Sequence, residues 1–456
     1  MDPGPSTRGR RDRLALAAAL VLVLAVAFGA RVFWVLRVDN PFDNLYSDMG
    51  FYILRARWLA NGEIPDFPRE LAMYPPGTHT LYAAEMLLIG WKHPLPFALV
   101  HCMWGALVAP CSLLLARRVT PSLWVAALTA LLMAVWQPQL VYSGFFSSEQ
   151  LACGLFALTA WLMVRLAETR SGVTPAAGAA RAVACGLAAG ITYLVRPQFA
   201  LTAALLGAAW LFAAWRRRGV SPPPRWREAA LFFGLLGLAV AGGAIRYASI
   251  AHRPGLIADE DALQRLFADT EIGQVSSWQG GRRWTFIPPS KIATGEMREY
   301  GFEGYIGDRD KLDLGRRQFL RGKPLSFRLR HLLSNVDLLV ERNWLWPEND
   351  HVDSSPRRRA YSDFFESLVR RLLPLAAIGM LSAAWRRTPV LVVASAYVVT
   401  AVAVAAFFWG EMRYRVPYDT FLVLLALEGA RLLLASGARL ARALRVESRR
   451  PLRAGR

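Results

Sequence analysis

Ten apolar runs in this sequence are long enough, or nearly long enough, to cross a lipid bilayer as helices. A helix that crosses the hydrocarbon core needs about 20 mainly apolar residues. The runs comprise residues 14–36, 95–116, 122–141, 149–167, 181–195, 197–215, 228–250, 368–385, 389–409 and 417–436. A mean hydropathy of +0.27 with only 19% charged residues excludes a disordered chain and disfavours a set of soluble domains. We therefore predict an all-α polytopic membrane protein with about ten transmembrane helices.

Arginine clusters lie in alternate connections between these runs, as expected when basic residues collect in short cytosolic loops. They precede the first run, follow the second, fourth, sixth and eighth runs, and end the chain. This alternation predicts that both termini are cytosolic. The net charge of +20 then belongs mainly to the cytosolic surface, where it attracts anionic lipids and indicates no nucleic-acid partner.

The two longest connections, residues 38–94 and 252–366, are predicted to lie on the extracytoplasmic side. The first holds 4 basic and 7 acidic residues and the second 18 of each, unlike the arginine-rich connections. Residues 80–90 are apolar but too few to cross, so they predict a helix at the membrane interface. The later loop contains helix-compatible segments at 259–269 and 315–334, and it predicts a small extracytoplasmic cap over the membrane.

The expected domain organisation follows from this topology. It comprises a cytosolic N-terminus at 1–13, an N-terminal transmembrane catalytic module at 14–251 that includes the first outside loop 38–94, an extracytoplasmic loop domain at 252–366, C-terminal transmembrane helices at 367–436, and a basic cytosolic tail at 437–456. The sequence shows no internal repeat, which disfavours a transporter built from two matched halves. All four cysteines lie inside apolar runs, and no Cys-x-x-Cys pair or histidine cluster indicates structural zinc.

Asp48 begins a helical pattern in the first outside loop. Ser47 is a residue type that caps helices, Tyr52 follows Asp48 at helical spacing, and Gly62 is expected to end the helix. Asp48 would lie in the first turn at the outer membrane boundary, where the positive helix end favours a carboxylate. From spacing alone, a helix-start carboxylate without chemistry is the commoner interpretation.

Two further positions in the outside segments carry polar groups at predicted helix starts. Tyr74-Pro75-Pro76-Gly77 forms a rigid turn that brings His79 to the start of the interfacial helix, although a lone histidine is more often a surface residue. Glu149 starts a later apolar run, and capping alone could explain it. Acidic side chains at the bilayer edge are nevertheless costly unless they are exposed or used.

Several arginines are predicted at the same membrane face. Arg196 lies between two apolar runs, and residues 411–417 carry Arg413 and Arg415 between the last two. Each of them alone is explained equally well as an anchor at the lipid–water boundary. Several guanidinium groups near two carboxylates favour a site that holds a phosphate group at the membrane surface.

Together these motifs resemble the GT-C superfamily of membrane glycosyltransferases, especially bacterial relatives of the protein O-mannosyltransferases and of the aminoarabinose transferase that modifies lipid A. The matching elements span about residues 15–420 and are, in chain order, Asp48-x-x-x-Tyr52, Tyr74-Pro75-Pro76-Gly77, Glu149, Gly186-Leu187 to Arg196-Pro197, and Arg413-Tyr414-Arg415-x-Pro417. The resemblance implies that Asp48 is a general base and that the donor is a polyprenyl-phosphate-linked sugar. The chain departs from the family at two positions, and these leave its specificity open. Glu149 stands where many relatives have Asp, and the basic residue that some carry after the Pro-Pro turn is absent, with His79 nearest.

Glycosyl transfer needs a base for the acceptor hydroxyl, a clamp for the leaving phosphate and exclusion of water. We predict that Asp48 is the base and that Glu149 orients the acceptor or the base. The remaining roles are donor phosphate binding by Arg196, Arg413 and Arg415, and substrate contacts by Tyr52, Tyr74, His79 and Glu411. Direct attack on the anomeric carbon implies inversion. No cofactor is required, and a divalent metal between Asp48 and Glu149 is left open.

The predicted partners are a polyprenyl-phosphate sugar donor, a glycan, lipid or protein acceptor, and membrane lipids. The expected location is a bacterial plasma (inner) membrane, with the active site on the extracytoplasmic face. A secondary transporter or lipid flippase is the main alternative, and a noncatalytic membrane scaffold is another. A transporter would favour charged residues near the middle of the bilayer and interrupted helices in paired positions, whereas these polar motifs cluster at one face.

Overall fold

The computed structural model describes residues 5–65, 67–91, 94–168, 174–216, 226–270, 274–278, 283–287, 300–340, 356–408 and 410–448. This part of the chain is mainly helical, and it confirms the predicted polytopic α-helical class. Eight helices in it are long and apolar enough to cross a membrane, and a bent helix pair adds a ninth crossing if it counts as one. They are Arg10–Arg37, Pro94–Val119, Ser148–Ala167, Pro175–Val195, Trp226–Ala251, Pro356–Arg386, Pro389–Phe407 and Met412–Arg439. The described chain is therefore that of an integral membrane protein.

The N-terminal part contains eleven described helices. They are α1 (Pro5–Arg37), α2 (Ser47–Asn61), α3 (Pro76–Ile89), α4 (Pro94–Ala106), α5 (Val108–Val119), α6 (Leu123–Ala134), α7 (Gln137–Leu140), α8 (Ser148–Ala167), α9 (Pro175–Val195), α10 (Phe199–Arg216) and α11 (Trp226–Ala251). Short 3-10 turns at Pro68–Ala72 and Val141–Gly144 lie between them.

Two of the ten predicted crossings differ from the structure. The run 122–141 does not form one straight helix, because α6 ends at Ala134 and the chain bends by 48° before continuing from Gln137. Pro138 lies in the first turn of α7, where a missing backbone N–H costs nothing and where proline cannot continue the preceding helix. The apolar part of α10 covers only Phe199–Phe212, which is short for a full crossing.

The first outside loop forms two helices and a 3-10 turn. Helix α2 ends at Gly62 as predicted, because that residue adopts the left-handed conformation with φ 69° that glycine tolerates best. The prediction of Ser47 as N-cap is wrong, because Tyr46 occupies the N-cap position and Ser47 is the first helical residue. Helix α3 starts at Pro76, earlier than the predicted interfacial segment, because proline is well suited to the first turn of a helix.

The later outside loop contains helices α12 (Glu260–Thr270), α13 (Arg309–Leu320) and α14 (Leu325–Leu338). It also contains an antiparallel sheet that the sequence analysis does not predict, with strand order β1 (Gln274–Trp278), β2 (Arg283–Ile287) and β3 (Tyr300–Glu303). The predicted helix at 315–334 is divided, because Gly322 has φ 75° and Pro324 precedes α14. The Asp308 carboxylate caps α13 by accepting from the Asp310 and Lys311 N–H groups.

The C-terminal part consists of helices α15 (Pro356–Arg386), α16 (Pro389–Phe407), α17 (Met412–Arg415) and α18 (Asp419–Ser448), with a 3-10 turn at Val416–Tyr418. Helices α15 and α18 pack with their backbones in close approach. A Cβ atom at Gly379 would lie 2.1 Å from the Leu425 carbonyl oxygen, and one at Gly429 would lie 2.0 Å from that of Leu375. Small residues favour such close helix pairs in lipid, where burial of apolar surface contributes little.

Candidate active site

Asp48 lies where three segments distant in sequence meet. It is in the first turn of α2, and its side chain is 25% exposed. The Tyr74 hydroxyl donates a hydrogen bond of 2.6 Å to Asp48 Oδ1. Arg413 Nη1 lies 3.4 Å from Asp48 Oδ2 and donates to it. The structure therefore places the predicted base, a tyrosine of the Pro-Pro turn and an arginine of the last membrane connection side by side.

Glu149 and Arg196 form a second ion pair. Glu149 is in the first turn of α8, Arg196 directly follows α9, and both residues are buried. Burial alone would lower the pKa of Arg196, but the neighbouring Glu149 carboxylate raises that pKa above its ordinary value. Arg196 therefore stays charged, and Glu149 holds its guanidinium group in place.

The Tyr74-Pro75-Pro76-Gly77 turn packs directly on the end of α9. A Cβ atom at Gly77 would lie 2.4 Å from the backbone nitrogen of Val195, closer than side-chain carbons are found. Only glycine allows this approach, which brings Tyr74 and Arg196 to the same region. Close packing against α9 thus requires glycine at position 77, in addition to the preference of the turn for glycine.

Tyr414 joins the two ion pairs, and it is not among the predicted site residues. Its hydroxyl accepts hydrogen bonds from Arg413 Nη2 at 2.7 Å and from Gln264 Nε2 at 2.8 Å. The Arg196 guanidinium carbon lies 5.8 Å from the centre of its ring, within the range of a cation–π contact. The sequence signal that could identify Tyr414 as a site residue is its position between Arg413 and Arg415 in the motif.

Tyr52 and Tyr74 form the aromatic wall beside Asp48. Their ring centres are 5.1 Å apart, and the Tyr52 hydroxyl donates to Ser148 Oγ at 3.4 Å. Burial raises the pKa of both tyrosines well above the ordinary value. Both hydroxyls therefore remain protonated and serve as hydrogen-bond donors. Glu411 also reaches this region, where its carboxylate lies 3.0 Å from Arg413 Nε.

Glu260 is a further carboxyl group of the candidate site, and it is not among the predicted site residues. It begins α12 in the later outside loop, and its backbone N–H donates to the Met73 carbonyl at 3.0 Å. Gln264, one turn later, donates to Glu260 Oε1 at 3.4 Å and also to Tyr414. Burial raises the pKa of Glu260 to about 7. Nothing in its sequence context distinguishes it from other helix-start carboxylates.

Arg415, which is predicted to bind the donor phosphate, lies in a different ion-pair cluster from Arg413. Its side chain is 4% exposed, and its Nε donates to Asp419 Oδ1 at 2.9 Å. Its Nη2 donates to both carboxylate oxygens of Glu366 at 3.1 Å, and its Nη1 donates to the Leu339 carbonyl at 2.8 Å. These partners occupy the whole guanidinium group, so the geometry assigns Arg415 to the packing of α14, α15 and α18.

His79, which is predicted to contact the substrate, lies inside the protein in this structure. It is completely buried in the first turns of α3, and neither ring nitrogen has a hydrogen-bond partner among the described residues. Burial lowers its pKa well below the ordinary value, and the nearby Arg246 and Arg55 lower it further. In this conformation the ring is neutral and is closed off from a substrate at Asp48.

Asp48 and Glu149 are the two carboxylates between which the sequence leaves a divalent metal open. Within the described residues, no three His, Cys, Asp or Glu side chains come close enough together to hold a metal ion. Asp48 and Glu149 are instead paired with different arginines. Ca²⁺ takes six to eight oxygen ligands, whereas Mg²⁺ usually keeps several waters and binds through one or two carboxylates plus substrate phosphates. The divalent metal between Asp48 and Glu149 that the sequence leaves open therefore stays a prediction.

Comparisons with known proteins give a likeness in overall structure only. No protein-family model matches the chain, and neither does any curated protein. The chain is similar to the archaeal oligosaccharyltransferase AglB from Archaeoglobus fulgidus in complex with an inhibitory peptide and a dolichol-phosphate, at 15% identity and a TM-score of 0.49. That match covers 94% of this chain and 51% of the other, so this chain spans about half the length of the oligosaccharyltransferase.

The chain is also similar to ArnT from Cupriavidus metallidurans. The apo structure matches at 14% identity and a TM-score of 0.36, over 91% of this chain and 77% of that chain. The structure bound to undecaprenyl phosphate matches at 15% identity and a TM-score of 0.35, over 94% and 79%. At these identities and scores the likeness assigns no residue role and no substrate.

Proposed function

We propose that this chain is a membrane glycosyltransferase that moves a sugar from a polyprenyl-phosphate-linked donor to an acceptor hydroxyl. The observation that carries the proposal is the surroundings of Asp48. Its carboxylate is partly exposed, is oriented by the Tyr74 hydroxyl, and lies beside the Arg413 guanidinium group. A reactive carboxylate next to an anion-binding arginine suits the transfer of a group from a phosphate to a hydroxyl.

In the proposed reaction Asp48 removes the proton of the acceptor hydroxyl as its oxygen attacks the anomeric carbon of the donor sugar. The bond between that carbon and the phosphate oxygen breaks, and its electron pair remains on the phosphate. Attack opposite the leaving group inverts the configuration at the anomeric carbon. Because a phosphate leaving group needs little protonation, this step does not require the second carboxylic acid that glycoside hydrolases use as a general acid.

Arg413 and Arg196 are proposed to hold the donor phosphate and to stabilise the negative charge that it gains. Both guanidinium groups lie at Tyr414, so one phosphate could contact both arginines. Glu149 acts through Arg196, whose guanidinium group it orients. Tyr52, Tyr74 and Glu411 border the same space and are the proposed substrate contacts. The proposed steps require no cofactor.

The location of the protein is also part of the proposal. The arginine alternation supports cytosolic termini and an active site on the extracytoplasmic face. The resemblance of the motifs to bacterial glycosyltransferases supports a bacterial inner membrane as the location. The donor lipid would enter from the bilayer, and the acceptor would be a glycan, a lipid or a protein. Cysteine labelling tests this orientation, since the four native cysteines are all buried. Gln318→Cys in α13 should react with an impermeant maleimide in intact cells, whereas Pro121→Cys before α6 should react only after lysis.

Transfer measurements in proteoliposomes test the function itself. Purified protein is supplied with radiolabelled undecaprenyl-phosphate sugars and with a panel of acceptors, and labelled product is separated from free donor. We expect sugar transfer without accumulation of donor or sugar inside sealed vesicles. Uptake or lipid translocation without any transfer product would instead support the transporter or flippase alternative.

A further inference from the structure

Among the carboxyl groups that the structure describes in the candidate site, Glu260 alone has no arginine partner within ion-pair distance. Asp48 and Glu411 both pair with Arg413, and Glu149 pairs with Arg196. No arginine or lysine of the described chain lies within ion-pair distance of Glu260, whose side-chain hydrogen bond comes from the neutral amide of Gln264. The ionised form of the Glu260 carboxyl group is therefore the least stabilised of those at the site.

The position of Glu260 is fixed by the residues around it. The backbone N–H groups of Asp259 and Glu260 donate to the carbonyls of Ala72 and Met73, at 2.8 and 3.0 Å, directly before Tyr74. The fully buried Asp259 side chain accepts from the Tyr247 hydroxyl at 2.6 Å and from Arg309 Nε at 2.9 Å. These contacts anchor the start of α12 to the end of α11 and to the first outside loop.

The surroundings of Glu260 comprise charged and titratable groups from several elements. They are Asp48 and Tyr52 on α2, Glu149 on α8, Arg196 after α9, and Arg413 and Tyr414 on α17. The site contains four carboxyl groups, those of Asp48, Glu149, Glu260 and Glu411. If all four were ionised, the two arginines would leave two negative charges uncompensated. A donor phosphodiester would add a further negative charge. Such an excess would oppose donor binding in a buried site.

We propose that Glu260 is a third residue of the donor phosphate site, where its carboxylic acid form donates a hydrogen bond to the phosphate held by Arg196 and Arg413. This inference rests on the proposed function and adds a group from the later outside loop to it. A protonated carboxyl group supplies an O–H donor without adding negative charge. Burial raises the pKa of Glu260 to about 7, so the donating form is present below that pH and is lost as the pH rises through it.

Binding of undecaprenyl-phosphate glucose to the purified full-length protein, measured between pH 6 and 9, tests the inference. This phosphodiester keeps a single negative charge across the range. Wild-type affinity should fall by about tenfold or more as the pH rises, because only the protonated fraction binds well. Glu260→Gln keeps a neutral donor at all pH values, so its affinity should remain near the pH 6 wild-type level. Glu260→Ala should bind the donor roughly tenfold more weakly than the wild type does at pH 6, and this should hold at every pH.

Asp261→Asn is the matched control, because Asp261 follows in the same turn but pairs with Arg309 and Arg265 outside the site. It should keep the wild-type pH dependence. A Glu260→Gln protein with the same pH dependence as wild type would overturn the inference, as would loss of binding in that variant at pH 6. Absence of donor binding by the wild type at every pH would contradict the proposed function itself, which separates the two failures.

Discussion

Arg413 and Arg415 are separated by one residue on the same short helix, yet they belong to two ion-pair clusters with opposite properties. The open cluster contains Arg413 with Asp48 and Glu411, whose side chains are 25% and 19% exposed. The closed cluster contains Arg415 with Glu366 and Asp419, whose side chains are 3% and 0% exposed. Residue type and spacing do not distinguish these two arginines, whereas the exposure of their partner carboxylates does. We therefore propose a ligand-binding role for Arg413 and a structural role for Arg415.

The closed cluster is completed by groups that have no part in the proposed chemistry. Trp136 Nε1 donates to Asp419 Oδ2 at 2.8 Å, and Arg415 also binds the Leu339 carbonyl at the end of α14. Buried charges cost several kcal/mol each to desolvate, so such clusters persist only when every partner is present. In the open cluster, by contrast, a ligand can replace a partner without leaving a buried charge unpaired.

The largest expected effect is the loss of turnover in Asp48→Asn, which breaks the open cluster at its proposed base. Asparagine keeps the size of the side chain but accepts no proton at neutral pH. We expect the transfer rate to fall by about 10²–10⁴-fold, whereas loss of a helix-start charge would cost only about 0.3–1 kcal/mol of stability. Single-turnover transfer measurements in liposomes decide between these two roles.

Asp43→Asn is the control for that variant, because Asp43 is in the same loop but is exposed before α2. It should retain most of the activity. Near-normal turnover by well-expressed Asp48→Asn would show that Asp48 has only a structural role.

Breaking the closed cluster should affect stability more than binding. Arg415→Met leaves Glu366 and Asp419 buried without their cation, and we expect a loss of about 3–5 kcal/mol in unfolding free energy. Thermal unfolding in detergent measures the direction of this change. The double variant with Glu366→Gln should lose less than the sum of the single losses, because it removes one of the unpaired charges. Unchanged stability with weakened donor binding would return Arg415 to the phosphate site.

Arg413→Ala should show the opposite pattern and the smallest of the three effects. Loss of a charge-assisted contact to the donor phosphate should weaken donor binding by about 1.5–3 kcal/mol. Arg413→Lys should recover only part of that affinity, because a lysine ammonium group cannot form a bidentate contact with the phosphate. Equilibrium binding of undecaprenyl-phosphate glucose provides the measurement. Normal affinity in a folded alanine variant would exclude Arg413 from the clamp.

Much of the architecture is a local property of the sequence and was predictable for that reason. The length of an apolar run decides whether a helix can cross the bilayer, and Gly62 ends α2 because of its own backbone preference. The motifs also predicted that Asp48 and Arg413 belong to one site, through their resemblance to a family. The bend before Gln137 was missed, although Pro138 was a visible signal.

The composition of the site was decided by tertiary structure. Asp48 and Arg413 are 365 residues apart in sequence, and Gln264 reaches Tyr414 from a different loop. Glu260 and Arg415 illustrate the limit of prediction from sequence in opposite directions. Glu260 lies at the candidate site without a sequence signal, whereas Arg415 has such a signal but pairs with Glu366 elsewhere. Apolar length and helix signals depend on neighbouring residues, whereas the role of a charged side chain depends on which distant group compensates it and on whether water or a ligand can reach both.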